Sequence, residues 1–215
     1  MEPFTVVRGA AAPMLLPDVD TDVISPAHGG RGDVAANAFA PVRYLPDGRD
    51  DPTFVLNQQP FHGAPILLAG PNFGCGSSRE SAVWSLLAIG IRCVIAPSFG
   101  DIFFGNCFPN GVLPIVLGRA VVDQLAVESA HGDPMVVDLA ATVVTSPGGT
   151  RIPFAVNPTR RSQLLEGLDD LALGLRRLDD VLAFQAADRR RRPWVYELPG
   201  LPGHPPLIAA IEETP

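Results

Sequence analysis

Apolar and polar positions alternate in blocks along the middle of the chain, and these blocks predict strands and helices in turn. Short apolar runs bounded by turn residues are typical of buried strands, and each is followed by a segment with helical spacing. Such alternation favours an α/β arrangement with parallel strands. The predicted strands cover residues 65–69, 93–97 and 113–117, and the predicted helices cover residues 80–88, 101–106 and 119–130.

The flanking regions show different patterns. The first third is rich in turn residues, and a long irregular loop is predicted at about 25–43. We predict a single domain over residues 1–190, followed by an irregular extension over residues 191–215 that is rich in proline and glycine. Toward its end this domain has further predicted strands at 135–139, 142–145 and 151–156 and amphipathic helices near 158–173 and 178–189.

Composition and charge exclude several classes of function. The chain has 215 residues with 47% hydrophobic residues, enough for a sizeable core. Its net charge is −7, which argues against non-specific nucleic-acid binding. All 16 basic residues are arginine, so Schiff-base chemistry and a phosphate-binding lysine are excluded. No run approaches the roughly 18 apolar residues of a membrane span, so no membrane partner is expected.

The three cysteines favour a reducing compartment. Cys75, Cys93 and Cys107 are odd in number and have no CxxC spacing. This pattern is typical of a cytoplasmic protein rather than of a disulfide framework, and it gives no metal site.

Residues 70–80, GPNFGCGSSRE, place small and polar side chains where a strand feeds a helix. Ser77 and Glu80 have the spacing of a capping box, which would put the positive end of a helix beside the serine hydroxyls. Gly74 and Gly76 would let a ligand approach the backbone, and Arg79 offers a fork suited to a carboxylate. The stretch therefore favours a small carboxylated or phosphorylated ligand, although an ordinary glycine-rich turn with a helix cap has the same local pattern.

Two more specific motifs do not match the sequence of this stretch. A P-loop needs a lysine before the serine, and a nucleophile elbow needs GxSxG, so neither fits. Cys75 could be a nucleophile, but no histidine can be assigned to it, and a small neutral residue in a tight turn is favoured.

A second cluster of polar residues is DVDTDVIS, residues 18–25. A calcium loop starting at Asp18 would need glycine and glutamate where Val23 and Gly29 stand, so that interpretation fails. As a strand end, the segment would place Asp20 and Asp22 on one side and Thr21 on the other. An acidic turn whose side chains bond their own backbone remains the alternative.

Together these stretches resemble the small subunits of bacterial 3-isopropylmalate dehydratase and, more distantly, the swivelling domain of aconitase. The resemblance covers roughly residues 10–190 and implies an α/β fold, a swivelling β/β/α three-layer domain of the aconitase C-terminal type. Its matching letters are DVDTD (18–22), FVLNQQPFHGAPILLAG (54–70), NFGCGSSRE (72–80) and VIAPSFGDIFFGNCFPNGVLPIVL (94–117).

The resemblance implies a hydro-lyase that isomerises 2-isopropylmalate to 3-isopropylmalate by dehydration and rehydration, in leucine biosynthesis. It implies that this chain binds no cofactor and that a [4Fe–4S] cluster is carried by a large subunit, in a heterodimer or higher heteromer. The active site would lie between the two subunits, so the isolated chain is expected to be inactive.

Residue roles follow from the resemblance by position. It implies that Ser77 is the base that removes a proton from carbon, and that Ser78 and Arg79 bind a substrate carboxylate. Thr21 and Asp22 match a pair near the hydroxyl group and its proton relay. Ser25 matches a serine that aconitases have at this position and is expected to contact the substrate. Two further contacts are expected from the residues themselves: Gly76, where a ligand could approach the backbone, and Arg31, for which a solvated loop arginine stays the alternative.

The sequence also departs from the family pattern. Ser81 stands where the family usually has histidine, and the segment after Asp22 is shorter and poorer in basic and aromatic groups. Two alternatives therefore stay open: a related dehydratase subunit for citramalate, homocitrate or a dialkylmalate, and a non-catalytic assembly module.

Overall fold

The computed structural model describes residues 1–27, 33–77 and 79–196. Its centre is a four-stranded parallel sheet with the strand order β2-β3-β4-β5. Every residue of β3 (Ile66–Ala69) and β4 (Cys93–Ala96) is buried, which explains why both strands are continuous apolar runs. The sheet is completed by β2 (Ala11–Met14) and β5 (Leu113–Val116).

A second, antiparallel sheet has the strand order β1-β6-β7-β8. Its strands are β1 (Val6–Gly9), β6 (Met135–Asp138), β7 (Val143–Thr145) and β8 (Arg151–Pro153). Short turns join β6 to β7 and β7 to β8, whereas β1 reaches β6 across most of the chain.

The helices of the described residues are short in the first half of the chain and longer in the second. They are α1 (Thr21–Ile24), α2 (Val34–Asn37), α3 (Ala40–Arg43), α4 (Ser81–Ala88), α5 (Asp101–Cys107), α6 (Arg119–Glu128), α7 (Pro158–Glu166), α8 (Asp170–Leu175) and α9 (Leu178–Arg191). Three 3₁₀ turns cover Val55–Asn57, Phe108–Asn110 and Pro193–Val195.

Side chains alternate across the parallel sheet and create two cores. Leu67 and Val94 pack on one face with α4 and α5, whereas Leu68 and Ile95 pack on the other with α6 and the antiparallel sheet. The layers are therefore antiparallel sheet, parallel sheet and helices. This arrangement confirms the predicted three-layer α/β fold.

The predicted central elements are confirmed with shifts of one or two residues at their ends. The helix predicted at 158–173 is wrong in extent, because it is interrupted at Gly167, whose φ of +68° ends α7 in a left-handed cap. The strand predicted at 151–156 is shorter, ending at Pro153.

The first half of the chain contains short helices that the sequence did not predict. Strand-like pairing ends at Asp20, which forms a parallel bridge with Cys75 and caps α1, its carboxylate accepting the Val23 amide at 2.8 Å, so the predicted alternative of a turn that bonds its own backbone is confirmed there. The segment 25–43 is not irregular throughout, because α2 and α3 lie within it. Both helices are single turns, which have too few positions to show a helical period.

The chain divides into two compact units, Met1–Asp170 and the residues from Leu171 onward. The first contains both sheets and the candidate site. The single domain over 1–190 and the irregular extension over 191–215 stay predictions. Within the described parts of the chain, no helix combines the length and apolar character needed to cross a membrane.

Candidate active site

Three segments meet at the carboxyl end of the parallel sheet. They follow β2, β3 and β4, and backbone hydrogen bonds join them: Gly74 N donates to the Val19 carbonyl at 2.7 Å, and Phe73 N donates to the Ser98 carbonyl at 3.1 Å. Ligands of open α/β sheets bind at this edge, because neighbouring strands deliver their loops to it. The DTD and GCGSSRE stretches are therefore brought together.

Ser77 is exposed at this edge, and the backbone that carries it is fixed by hydrogen bonds from Thr21. The buried Thr21 donates its hydroxyl to the Ser77 carbonyl at 3.1 Å, and the Thr21 amide donates to the Cys75 carbonyl at 2.9 Å. The serine side chain is thus open to a ligand while its main chain is fixed to α1.

Arg79 and Asp22 form an ion pair beside Ser77. The arginine side chain is 30% exposed and the aspartate side chain 56%, so both groups border solvent. The pair joins two residues whose roles the sequence assigned separately, and it leaves the guanidinium within reach of an incoming anion.

Two glycines shape the segment that carries Ser77. Gly74 has a φ of +73°, and a Cβ there would lie 2.3 Å from Cγ of Phe103, so no larger residue fits without movement. Gly76 has a φ of +90° and is exposed, with space for a Cβ at 3.4 Å from Cβ of Asp20. The first glycine is needed for packing and conformation, and the second for conformation.

The predicted capping box between Ser77 and Glu80 is wrong. The α4 helix begins at Ser81, and Glu80 precedes it without capping by a side chain. Its carboxylate instead accepts a hydrogen bond from Nδ2 of Asn110 at 2.7 Å. Ser77 therefore lies four residues before the helix, and Arg79 is the positive group nearest to it in sequence.

Asn110 is a functional candidate that sequence reasoning missed. The only signal for it was the quoted run over residues 94–117, in which Asn110 precedes a glycine. It lies at the end of the 3₁₀ turn that follows α5, and it contacts the start of α4.

The cysteines do not form a thiolate site. Partial burial, followed by the negative charges of Asp20 and Asp18, raises the pKa of the Cys75 thiol. Burial also raises the pKa of the Cys93 and Cys107 thiols, which lie in the two hydrophobic cores. The described residues contain no group of three or more His, Cys, Asp or Glu side chains that could hold a metal ion.

The remaining predicted residues differ in their position. Ser25 is only 5% exposed and its amide donates to the Thr21 carbonyl, so it lies beneath the surface of the site. Arg31 and Ser78 lie outside the described residues, and their roles stay predictions.

Comparison with known proteins identifies relatives of this chain. The family model of the aconitase C-terminal domain matches residues 1–120. The 3-isopropylmalate dehydratase small subunit of Rhodospirillum centenum is 49% identical over 200 residues, which are 90% of this chain and 98% of that protein. The small subunit of the same name from Cupriavidus necator is 50% identical over 205 residues, 91% of this chain and 99% of that protein.

A solved structure extends the similarity to the fold. The crystal structure of 3-isopropylmalate dehydratase from Methanocaldococcus jannaschii superposes with a TM-score of 0.61 at 28% identity. It covers 83% of this chain, and the match covers 99% of that one. The chain therefore belongs to the family of 3-isopropylmalate dehydratase small subunits, whose fold is the aconitase C-terminal domain.

Proposed function

We propose that this chain is the small subunit of a 3-isopropylmalate dehydratase and that Ser77 is its catalytic base. The observation that carries the proposal is the position of Ser77: an exposed hydroxyl at the carboxyl edge of the parallel sheet, on a backbone fixed by Thr21 and beside Arg79. Nearly full-length similarity to proteins of that name supports the reaction class.

Dehydration requires a proton to leave the carbon next to the one that bears the hydroxyl. The Ser77 oxygen, as an alkoxide, takes this proton and becomes a hydroxyl, and the C–H electron pair forms the double bond. The C–O bond breaks as the substrate hydroxyl receives a proton that a general acid of the complete complex donates by way of Asp22, and the hydroxyl leaves as water. Addition of water with the opposite orientation then gives the isomer. A serine oxygen is a weak base unless positive charge stabilises its anion, and the guanidinium of Arg79 supplies that charge.

Arg79 also binds the substrate. A planar guanidinium suits a carboxylate because it can donate two parallel hydrogen bonds. In the free chain one guanidinium nitrogen, Nη1, donates to Oδ1 of Asp22. A substrate carboxylate that takes two parallel bonds from Arg79 would displace Asp22 from this nitrogen. The released Asp22 carboxylate is then available to move the hydroxyl proton, with Thr21, Ser25, Gly76 and Ser78 as further contacts.

The iron–sulfur cluster that the family implies does not fit this chain. Such clusters are held by cysteine thiolates, and two of the three cysteines are buried in the cores with raised pKa values. We therefore assign the [4Fe–4S] cluster to the large subunit, and this chain supplies the base and the carboxylate contacts in a heterodimer or higher heteromer. The free state of all three cysteines supports a reducing, cytoplasmic compartment.

The test is reconstitution with a large subunit and the variant Ser77→Ala. The wild-type complex should isomerise 2-isopropylmalate, and the variant should lose at least about 100-fold in kcat, because general-base catalysis typically contributes that much. Ser162→Ala is the matched control, an exposed serine on α7 that should leave turnover unchanged. Full turnover by Ser77→Ala would reject the catalytic role and favour an assembly module.

A substrate panel separates the remaining alternative. Ser81 replaces the usual histidine, and the segment that follows Ser25 is short, with α2 and α3 on either side of Phe39, which is buried at a φ of +57°. A complex that dehydrates citramalate, homocitrate or a dialkylmalate in preference to 2-isopropylmalate would retain the reaction class and change the substrate.

A further inference from the structure

We propose that Asn110 is a positioning residue for the reaction, one that holds Ser77 and Arg79 in their active geometry; the proposal rests on the function proposed above. Asn110 ends the 3₁₀ turn Phe108–Asn110, and Gly111 follows it with a φ of +83°. None of the roles implied by the family resemblance includes this residue.

The Asn110 amide group uses both of its N–H donors and one acceptor site of its oxygen on neighbouring residues. Its Nδ2 donates to Oε1 of Glu80 at 2.7 Å and to the Asn106 carbonyl at 2.9 Å, and its Oδ1 accepts from Nε1 of Trp84 at 2.9 Å. A carboxylate only accepts and an indole only donates, so these partners fix the orientation of the amide group.

The two side-chain partners lie at the start of α4. Glu80 immediately precedes the helix and Trp84 is four residues later, so both project from the same face of its first turn. Asn110 therefore connects the first turn of α4 to the end of α5 through one amide group.

The chain that carries Ser77 is also fixed at Gly74, by residues at the beginning of α5. Phe103 lies against Gly74, and Gly100 is so close to it that a Cβ at Gly100 would lie 2.5 Å from the Gly74 carbonyl oxygen. Ser77 and Arg79 thus lie between two fixed points of the chain. The first anchor is Gly74, which packs against α5, and the second anchor is Glu80, which accepts a hydrogen bond from Asn110. Loosening the second anchor would free the segment on the side of Arg79.

The experiment uses the complete complex with the large subunit. Asn110→Ala should lower kcat by about 10- to 100-fold, because it would allow Ser77, the proposed base, to shift. A displacement of a catalytic group by about 1 Å can lower the rate about 100-fold. The matched control is Gln124→Ala, which removes the same kind of amide-to-carboxylate bond, to Glu128 at 2.9 Å on α6. This control should stay within about twofold of the wild type.

Two further variants distinguish positioning from general stability. Asn110→Asp places two carboxylates together, and adding Glu80→Gln restores a donor–acceptor pair with reversed polarity, so most of the lost kcat should return. In a Ser77→Ala background, Asn110→Ala should cost no additional kcat, whereas a loss of folded protein would multiply with the first loss. A kcat for Asn110→Ala within twofold of wild type, or no recovery in the double variant, would overturn the proposal.

Hydrogen exchange keeps this outcome separate from failure of the proposed function. The amides of Val83 and Trp84 both donate to the Glu80 carbonyl, and Asn110→Ala should accelerate their exchange in the free chain. A wild-type complex without turnover on any substrate would reject the function alone, and unchanged exchange at these amides would reject the positioning role alone.

Discussion

Replacement of Gly74 by alanine would test how tightly the catalytic segment rests on α5. The position has a φ of +73°, which costs a residue with a Cβ about 1–2 kcal/mol. The added Cβ would lie 2.3 Å from Cγ and 2.5 Å from Cδ1 of Phe103, whereas carbon atoms normally approach to about 3.5–4.0 Å.

The ring of Phe103 has little room to retreat. It is 2% exposed, and its centroid lies 5.5 Å from that of Phe73 and 6.3 Å from that of Phe99. Overpacking of a core costs about 1–3 kcal/mol, so Gly74→Ala should lower the free energy of unfolding by about 2–5 kcal/mol in total.

Gly63→Ala is the matched control for the backbone contribution. Its φ of +74° is nearly the same, and an added Cβ would meet no atom within 4 Å, so only about 1–2 kcal/mol should be lost. Urea unfolding of both variants, followed by circular dichroism, measures the difference. Equal losses would refute the close contact with Phe103, and the loss in a Gly74→Ala, Phe103→Ala double variant should be less than the sum of the single losses.

Two further predictions concern titrating groups. Because the pKa of Cys75 is raised, its rate of reaction with a disulfide reagent should rise at a higher pH than for a free thiol, whose pKa is about 8.5. Cys93 and Cys107 should react only when the chain unfolds. Rapid labelling of all three thiols in the native chain would contradict this prediction. The Arg192 guanidinium donates to the Asp188 carboxylate at 2.6 and 2.8 Å and holds the pKa of that carboxyl below its usual value near 3.9. The ion pair should therefore stabilise the end of α9 above about pH 4. This stabilisation should be lost as the pH falls through the pKa of Asp188 in the folded state. Hydrogen exchange at that helix end should show this pH dependence in the wild type, and Asp188→Asn should remove it.

The central fold could be predicted because its pattern is local. The runs that became β3 and β4 are buried on both faces and contain little but apolar residues, so length and flanking turns were enough to identify them. By contrast, β1 pairs with β6 in the register Val6 to Asp138, a partnership set by tertiary packing. Its alternating half-buried residues give a weak local signal over only four positions.

In the candidate site, too, local features could be predicted from the sequence, whereas contacts between distant residues could not. The stretches that carry Ser77 and Thr21 were identified from their letters, and their meeting followed from the resemblance. The hydrogen bond between the two residues spans 56 positions, and no local pattern encodes it. For residues 18–25 the sequence left open a strand end and a turn that bonds its own backbone. An aspartate carboxylate that accepts an amide three residues later favours a helix start, and Asp20 forms this bond.

Under the proposed function, the ion pair of Arg79 and Asp22 would connect the fold to substrate selection. Because the guanidinium already contacts Asp22 in the free chain, binding of a substrate at Arg79 would exchange one carboxylate for another and gain little from charge alone. Affinity must then come from the geometry of the second carboxylate and from contacts that the large subunit adds. Under the same proposal, this exchange would also link binding to chemistry, because the event that binds the substrate would release Asp22 to take part in proton transfer. A site arranged in this way would discriminate among malate derivatives through the segment after Ser25 and through the partner, rather than through Arg79.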